Sequence, residues 1–262
     1  LFSYEASADP SRPAERKSRY YSTTLDEALS VIRERPGRYA IVGVPCFIKA
    51  ARLVAEQDPL VKERIVFHVG LVCGHMKSHF FGESMAWQLG IAPNELANVD
   101  FRVKRAGRTS SDYDFGALRV GDRDWLYSPT RNLLGGNWGH GAFQPEACNF
   151  CDDIFAETAD VAFGDAWLPE YREDWRGTNV VVSRSALVDQ ILADGRQQGD
   201  LDLDDLDPET VARSQAGNFR HRRLGVSVRS YDDLRRGLSV PRKRVPATLD
   251  GVTRQRLKVI RA

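Results

Sequence analysis

Four cysteines are the residues of this chain best suited to chemistry: Cys46, Cys73 and the C-x-x-C pair Cys148 and Cys151. Four thiolates suit either a structural zinc ion or an iron–sulfur cluster. Structural zinc usually uses two local cysteine pairs, and only one pair is local here, so the spacing favours a cluster over zinc. Two other interpretations stay open: disulfide bonds, and four unrelated thiols, since free cysteine often packs as a small hydrophobic side chain.

The segments around Cys46 and Cys73 predict strands that end at these residues. Residues 39–44 have the pattern of a strand, and Pro45 suits the first turn of a following helix. Residues 64–73 are rich in Val and Ile, which is typical of a strand buried on both faces. The carboxyl ends of parallel strands share one edge of a sheet, so both cysteines are expected at that edge.

The rest of the chain alternates strand-like with helix-like segments. Apolar periodicity predicts helices near residues 25–35, 78–89 and 187–193, the second capped by Ser78 and the third ending near Gly195. Further strands are expected at residues 99–103, 159–163 and 179–183. The fold class is therefore α/β, with a mixed, partly parallel sheet flanked by helices and a small antiparallel insertion.

Charge is distributed unevenly along the chain. The totals are 37 basic and 36 acidic residues, yet Arg220 to Ala262 holds 13 Lys or Arg against 3 Asp or Glu. Such a tail can dock on an acidic partner or on nucleic acid. Because no aromatic ladder or zinc-finger spacing accompanies it, nucleic acid is disfavoured. A solvated basic tail or an arm that docks on its own chain is the preferred interpretation.

The overall composition excludes several classes of protein. Hydrophobic residues make up 42% and charged residues 28% of 262 positions, unlike disordered or collagen-like chains. No apolar run approaches the roughly 20 residues of a membrane span.

Several short motifs, in a fixed order, resemble those of a known family, the beta subunits of coenzyme F-420 (deazaflavin) hydrogenases and dehydrogenases. They are GVPC at 43–46, VGLVC at 69–73, FRVK at 101–104, CxxCD at 148–152, ADxxxGDxW at 159–167 and GTN at 177–179, with SRY ahead of them at 18–20. The resemblance covers residues 15 to 200, approximately.

This resemblance implies a flavoprotein whose 4Fe–4S cluster is held by Cys46, Cys73, Cys148 and Cys151. FAD would sit beside the cluster, and electrons would pass between cluster, flavin and a small acceptor or substrate. The implied partners are that small molecule and an electron-donor protein such as ferredoxin or a hydrogenase-like subunit, with self-association left open. A labile cluster and four thiols indicate a reducing compartment, so a cytoplasmic location is expected.

The motifs that carry the resemblance also indicate which residues would bind the flavin. They are Ser18, Arg19, Tyr20, Gly43, Arg102, Lys104, Gly164 and Asp165. Arg102 and Lys104 share a strand face and could hold flavin phosphates or an anionic substrate, although a solvated strand face is the alternative. Asp165, after a strand end, could bind a ribose hydroxyl, orient a base, or cap a helix. Ser18, Arg19 and Tyr20 could equally be loop residues, and Gly43 could be a turn glycine.

No catalytic residue is assigned. His75 and His79 have i, i+4 spacing, so they would share a helix face and could supply protons to a reduced substrate. Trp138 and His140 lie in a Gly-rich stretch that could form a lid.

The resemblance divides the chain into three parts. Residues 1–24 would be the remnant of a preceding flavin-binding segment, and residues 25–217 an α/β iron–sulfur flavoprotein domain with 106–141 as a loop-rich insertion. Residues 218–262 would form the basic C-terminal tail. The predicted function is an iron–sulfur flavoprotein oxidoreductase. The alternatives are an electron-transfer subunit without its own substrate site, or a zinc-stabilised non-redox α/β protein.

Overall fold

The computed structural model describes residues 7–8 and 17–250, whose contacts form two compact units. Unit 1 comprises the described residues of Leu1–Ala28, His75–Cys148 and Pro169–Thr178. Unit 2 comprises those of Leu29–Gly74, Asn149–Leu168 and Asn179–Ala262. This division does not follow the boundaries expected at residues 24 and 217, which stay predictions.

The structure confirms the predicted alternation of strands and helices. In chain order, the strands are β1 (Tyr39–Gly43), β2 (Ile65–Leu71), β3 (Leu96–Val103), β4 (Asp114–Arg119), β5 (Leu126–Pro129), β6 (Val161–Asp165) and β7 (Asn179–Ser183). The α-helices are α1 (Asp26–Glu34), α2 (Pro45–Gln57), α3 (Pro59–Arg64), α4 (His79–Gln88), α5 (Ala186–Gln198), α6 (Pro208–Ser214), α7 (Ala216–Phe219) and α8 (Val226–Arg235).

Unit 2 is built on a four-stranded sheet in the order β1-β2-β6-β7. β1 and β6 each run parallel to β2, whereas β7 is antiparallel to β6. The mixed, partly parallel sheet is therefore confirmed. β2 is not buried on both faces as expected, because Val66 and Leu71 are 46% and 41% exposed although α2 and α3 pack against the strand.

The loop that follows Cys151 packs closely onto β2. A Cβ atom at Gly70 would lie 2.3 Å from the Ala156 Cβ and 3.0 Å from the Ala159 Cβ. Only a residue without a side chain allows this approach.

Unit 1 holds a three-stranded antiparallel sheet in the order β3-β4-β5. It confirms the expected antiparallel sheet, and it includes β3 from outside the predicted 106–141 insertion. Its core is a cluster of apolar and aromatic side chains from α4, the sheet and two connecting segments: Phe81, Met85, Ala86, Ile91, Leu96, Val99, Phe101, Phe115, Ala117 and Leu133.

Two helix ends differ from the sequence expectation. Ser78 precedes α4, but its side chain makes no capping hydrogen bond. Helix α5 continues past Gly195 and ends at Gly199, whose φ of 79° is the left-handed conformation that glycine adopts readily. Gly195 serves packing instead, since a Cβ there would lie 2.7 Å from Leu201 Cδ1.

The first part of the basic C-terminal segment, up to Arg235, is helical rather than irregular. From Ala216 to Arg235 the chain runs through α7, a π-helical segment at Arg220–Gly225 and α8. Val226 and Val228 are buried, as is Arg222. The sequence left open a solvated tail or an arm that docks on its own chain. Up to residue 250, the segment packs on its own chain. Among residues 7–8 and 17–250, no helix combines the length and apolar character that crossing a membrane requires.

Candidate functional site

The carboxyl edge of the unit 2 sheet carries several of the predicted residues. Cys46 lies in the first turn of α2 directly after β1, and Cys73 follows β2. Because β1, β2 and β6 are parallel, their carboxyl ends share this edge, as predicted. Cys46 is exposed, and the partial positive charge at the start of α2 favours an anion there.

Cys73 is buried and contacts the basic C-terminal segment. Nη2 of Arg222 donates a hydrogen bond to the Cys73 Sγ over 3.6 Å, and both side chains are buried. The Cys73 N–H donates to the Ile154 carbonyl at 3.1 Å, which ties the end of β2 to the segment just after Cys151. The Cys73 sulfur thus lies next to a permanently charged donor.

Two further arginines contact unit 2 residues in, or directly after, the C-x-x-C hook, residues 148–151. Nε of Arg229 donates to the Asn149 carbonyl at 2.9 Å. Nε of Arg244 donates to the Asp152 carboxylate at 3.2 Å, and Arg244 also pairs with Glu157. Burial acts to raise the pKa of Asp152, but the Arg244 contact more than offsets it, so the pKa lies below its usual range.

Cys148 is the one cysteine assigned to unit 1, and its sulfur is also hydrogen-bonded. The Met76 N–H donates to the Cys148 Sγ at 3.4 Å. Nearby, Lys77 is only 1% exposed and donates to the Ala142 carbonyl, with its Nζ 4.8 Å and 4.6 Å from the ring centroids of Phe81 and Trp138. Burial lowers the pKa of Lys77 to about 8, although the Cys148 charge acts in the opposite direction.

All four cysteines are reduced thiols, so the disulfide interpretation is wrong for this structure. Within the described ranges 7–8 and 17–250, no three His, Cys, Asp or Glu side chains are grouped so that they could hold a metal ion. The meeting of the four sulfurs at one cluster therefore stays a prediction. The donor set nevertheless fits a cluster in its chemistry, because it offers four thiols and hydrogen-bond donors to two of the sulfurs.

The predicted flavin-binding residues of unit 1 gather around β3. Arg19 Nη1 donates to the Val99 carbonyl at 2.9 Å, and the Tyr20 ring lies 5.3 Å from that of Phe101. Arg102 lies near the end of β3, and Lys104 directly follows the strand. That they share a strand face stays a prediction.

Both cations lie over the same aromatic ring, with the Arg102 Cζ 5.2 Å and the Lys104 Nζ 5.6 Å from the Tyr113 ring centroid. Lys104 also donates to the Ser110 carbonyl. Ser18 is exposed.

The remaining predicted flavin-binding residues lie in unit 2. Gly43 ends β1 and is buried, whereas Gly164 and Asp165 end β6. A Cβ at Gly164 would lie 2.5 Å from the Val72 Cβ, so close packing already accounts for glycine there. The Asp165 carbonyl accepts a hydrogen bond from Gln215 Nε2 at 2.6 Å. A role for these residues in flavin binding stays a prediction.

The expectation that His75 and His79 share a helix face is wrong, because α4 begins only at His79. His75 is buried and stacks on Trp138 with ring centroids 4.5 Å apart. Trp138 packs against the unit 1 core, and a lid formed by this stretch stays a prediction. His140 is exposed.

Four cations beside the cysteine segments were missed by the sequence analysis: Lys77, Arg222, Arg229 and Arg244. The density of charge after residue 217 was the available signal for the three arginines. Nothing local distinguishes Lys77, since lysine is rarely buried.

Comparisons with known proteins bear on this site. Residues 37–209 match a family described as the C terminus of the coenzyme F420 hydrogenase/dehydrogenase beta subunit. The F subunit of the F(420)H(2) dehydrogenase of Methanosarcina mazei is 24% identical over 157 residues, which are 59% of this chain and 40% of that protein. The match therefore spans well under half of the curated relative.

A solved structure is similar in fold. It is a chain of the xenon-derivatised F420-reducing NiFe hydrogenase complex of Methanosarcina barkeri, with a TM-score of 0.53 and 16% identity over 86% of this chain and 74% of that one.

Proposed function

The chain belongs to the family of coenzyme F420 hydrogenase/dehydrogenase beta subunits, and on this premise we propose that it is an iron–sulfur flavoprotein oxidoreductase. Its four cysteines, Cys46, Cys73, Cys148 and Cys151, would hold a 4Fe–4S cluster. When bound, the cluster supplies one-electron transfer and FAD two-electron transfer, to or from a deazaflavin-type or other unsaturated small molecule.

The observation that carries this proposal is the environment of the two buried cysteines. Cys73 Sγ accepts a hydrogen bond from Arg222, and Cys148 Sγ accepts one from the Met76 N–H. Donors aimed at sulfur stabilise thiolates and set the potential of a cluster, whereas a cysteine that only fills space needs none.

The residues around β3 would bind the flavin. Arg102 and Lys104 place two positive charges next to the Tyr113 ring, which suits a pyrophosphate. Arg19 and Tyr20 are held against the same strand and would contact the bound cofactor. Gly43, Gly164 and Asp165 would contribute from the carboxyl edge of the unit 2 sheet.

A second candidate is an electron-transfer subunit without its own substrate site. The relatives named above favour it, since one is a dehydrogenase subunit and the other belongs to a hydrogenase complex. The partner would be an electron-donor protein, such as ferredoxin or a hydrogenase-like subunit. A reducing, cytoplasmic compartment would suit either form of the proposal.

Purification without oxygen, with iron, sulfide and flavin measured per chain, tests the proposal. We expect iron and sulfide near four per chain, and a brown colour that dithionite bleaches. Colourless protein free of iron would overturn the cluster, and zinc in its place would support the non-redox alternative.

Cys148→Ser is the sharper test, because it removes one ligand and leaves the turn Glu146–Phe150 otherwise unchanged. We expect iron and colour to be lost. Phe150→Leu is the matched control, since it alters the same turn and keeps all four thiols. Full iron content in Cys148→Ser would contradict the assignment.

Flavin binding is tested separately with Arg102→Gln. Loss of one charge-assisted contact should weaken FAD binding about tenfold. Arg123→Gln, exposed between β4 and β5, is the control and should bind as the wild type does. Reduction of a deazaflavin by the purified chain would favour the enzyme over the electron-transfer subunit.

A further inference from the structure

Arg222 is a buried charge with few partners. It is 2% exposed, and its Nε and Nη1 atoms are buried without a hydrogen-bond acceptor in the described part of the chain. Its one hydrogen bond is from Nη2 to the Cys73 Sγ, and no salt bridge of residues 7–8 and 17–250 includes it. Burial of an uncompensated charge is costly, and arginine does not escape the cost by losing its proton. An anion close to the Arg222 guanidinium would compensate this buried charge.

The backbone that carries Arg222 is firmly placed. Arg222 lies in the π-helical segment Arg220–Gly225, a rare conformation that recurs at functional sites. On one side Val226 and Val228 are fully buried. A Cβ at Gly225 would lie 2.6 Å from Arg229 Nη1, so the segment and the arginine that reaches the Asn149 carbonyl fit closely together.

The same C-terminal segment holds two of the cysteine-bearing stretches of unit 2. Arg222 contacts Cys73, while Arg229 and Arg244 contact Asn149 and Asp152, on either side of Cys151. Arg229 and Arg244 donate hydrogen bonds to carbonyl and carboxylate oxygens, and these bonds hold the two stretches in place. Arg222 differs from them, because a thiol is its only partner among the described residues.

We infer that Arg222 is the counter-charge of the cluster, donating to the Cys73 thiolate and raising the reduction potential. The inference rests on the proposed function and assigns a role to the basic C-terminal segment. Reduction adds one electron, and therefore one negative charge, to a cluster that is already anionic. A buried positive charge stabilises the reduced form more than the oxidised form, so its removal should make reduction harder. Arg222 is a positioning and tuning residue, not a catalytic one.

The test is the midpoint potential of the cluster, measured by anaerobic titration with dithionite and redox dyes. Arg222→Met should keep the iron while its one-electron reduction constant falls about tenfold, which corresponds to about 59 mV. Arg222→Lys keeps the charge and should recover at least half of that loss. Arg223→Gln, next along the same segment and part-exposed, should leave the potential unchanged.

A second measurement does not depend on the variants folding. In wild-type protein labelled with nitrogen-15 arginine, the reduced cluster should show a nitrogen-15 coupling in its pulsed paramagnetic resonance spectrum. Iron-loaded wild type without this coupling, or loaded Arg222→Met with an unchanged potential, would overturn the inference. Wild type that binds no iron would instead overturn the proposed function, so the two failures are distinguishable.

Discussion

In the described part of each unit a buried cation lies beside a cysteine, but the two surroundings differ. Arg222 in unit 2 faces the Cys73 sulfur and leaves two nitrogens without acceptors among the described residues. Lys77 in unit 1 donates to a carbonyl and lies over two aromatic rings near Cys148. Arginine stays charged, whereas lysine can lose its proton when burial is costly. The charge beside Cys73 is therefore permanent, and the charge beside Cys148 depends on pH.

The two units also hold their cysteine segments by different forces. In unit 2, Arg229 contacts the hook at the Asn149 carbonyl, and Arg244 contacts the Asp152 carboxylate directly after it. In unit 1, aromatic rings surround Lys77, and Tyr20, Phe81 and Trp138 contact one another. Charged contacts between exposed groups are weak in water, while ring packing is insensitive to salt. Variants in unit 1 and in unit 2 can therefore test this difference.

The largest effect is expected from Lys77→Met. The pKa of Lys77 is lowered to about 8 in the folded protein, against 10.5 for the ordinary group. Between these values the unfolded chain binds more protons, so wild-type stability should rise with pH across this window. The rise from this group amounts to about 3 kcal/mol, and it should be missing from the variant. Urea unfolding at pH 7 to 10.5 with reduced thiols measures the difference.

Lys62→Met is the matched control, because Lys62 is exposed on α3. A plot of its free energy of unfolding against pH should run parallel to that of the wild type. If the plot for Lys77→Met ran parallel as well, Lys77 would keep its proton over the whole pH range. Lys77 and Arg222 would then both be permanently charged.

The next largest effect is expected at Gly70. A methyl group there would meet the Ala156 Cβ at 2.3 Å, so Gly70→Ala should cost about 2 kcal/mol through overpacking. Adding Ala156→Gly to the variant should restore part of the loss, although Ala156 has a positive φ of 48° and glycine relieves strain there too. The free energy of unfolding from urea titration gives the values.

One further single variant completes that cycle, and Gly217→Ala serves as a separate control. Ala156→Gly alone measures the relief of strain, and any further recovery in the double variant belongs to the Gly70 contact. Gly217→Ala changes an exposed helical glycine with nothing near its Cβ, and should stabilise by about 0.5 kcal/mol. Additive effects of the two Gly70 and Ala156 changes would show that the contact is not responsible.

Much of the fold follows from local sequence patterns. Asn179–Ser183 is a strand with the predicted bounds, and Pro45 begins α2 as its fixed φ favours. The placement of Cys46 and Cys73 at one edge followed from strand ends alone, because parallel strands finish on the same side. These predictions needed only neighbours along the chain.

The C-terminal helices were missed for a physical reason. The buried face of residues 220–230 contains Arg222, Ser227 and Ser230 beside its two valines, so it carries little apolar periodicity. A prediction based on the periodicity of hydrophobic residues therefore assigns such a helix to an irregular tail.

Contacts between distant residues were missed as well. His75 stacks on Trp138, and Arg222 reaches Cys73 across 149 positions of sequence. Nothing in a local window specifies either partner. For the same reason the predicted meeting of the four sulfurs, and the flavin roles of the other eight residues, stay predictions.

Charge also acts in unit 1, where Asp114 of β4 is buried and pairs with Arg105 and Arg108. Burial acts to raise the pKa of Asp114, but the two arginines outweigh it and hold the pKa below its usual range. Asp114→Asn should cost about 1.5 kcal/mol at pH 7. Because the folded-state pKa is depressed, the wild-type advantage should disappear as pH falls below about 4. Asp124→Asn, exposed before β5, should change stability little at either pH.

The smallest effect is expected from Arg244→Gln. Arg244 is about half exposed, so its contacts with Asp152 and Glu157 are screened by solvent and should contribute less than about 1 kcal/mol. The pKa of Asp152 is held below its usual range, so this contribution should also shrink as the pH falls below about 4. Thermal unfolding at low and high salt measures it, with the exposed Arg242→Gln as control. A loss as large at high salt as at low salt would mean that Arg244 packs like the rings of unit 1, and the contrast between the units would fail.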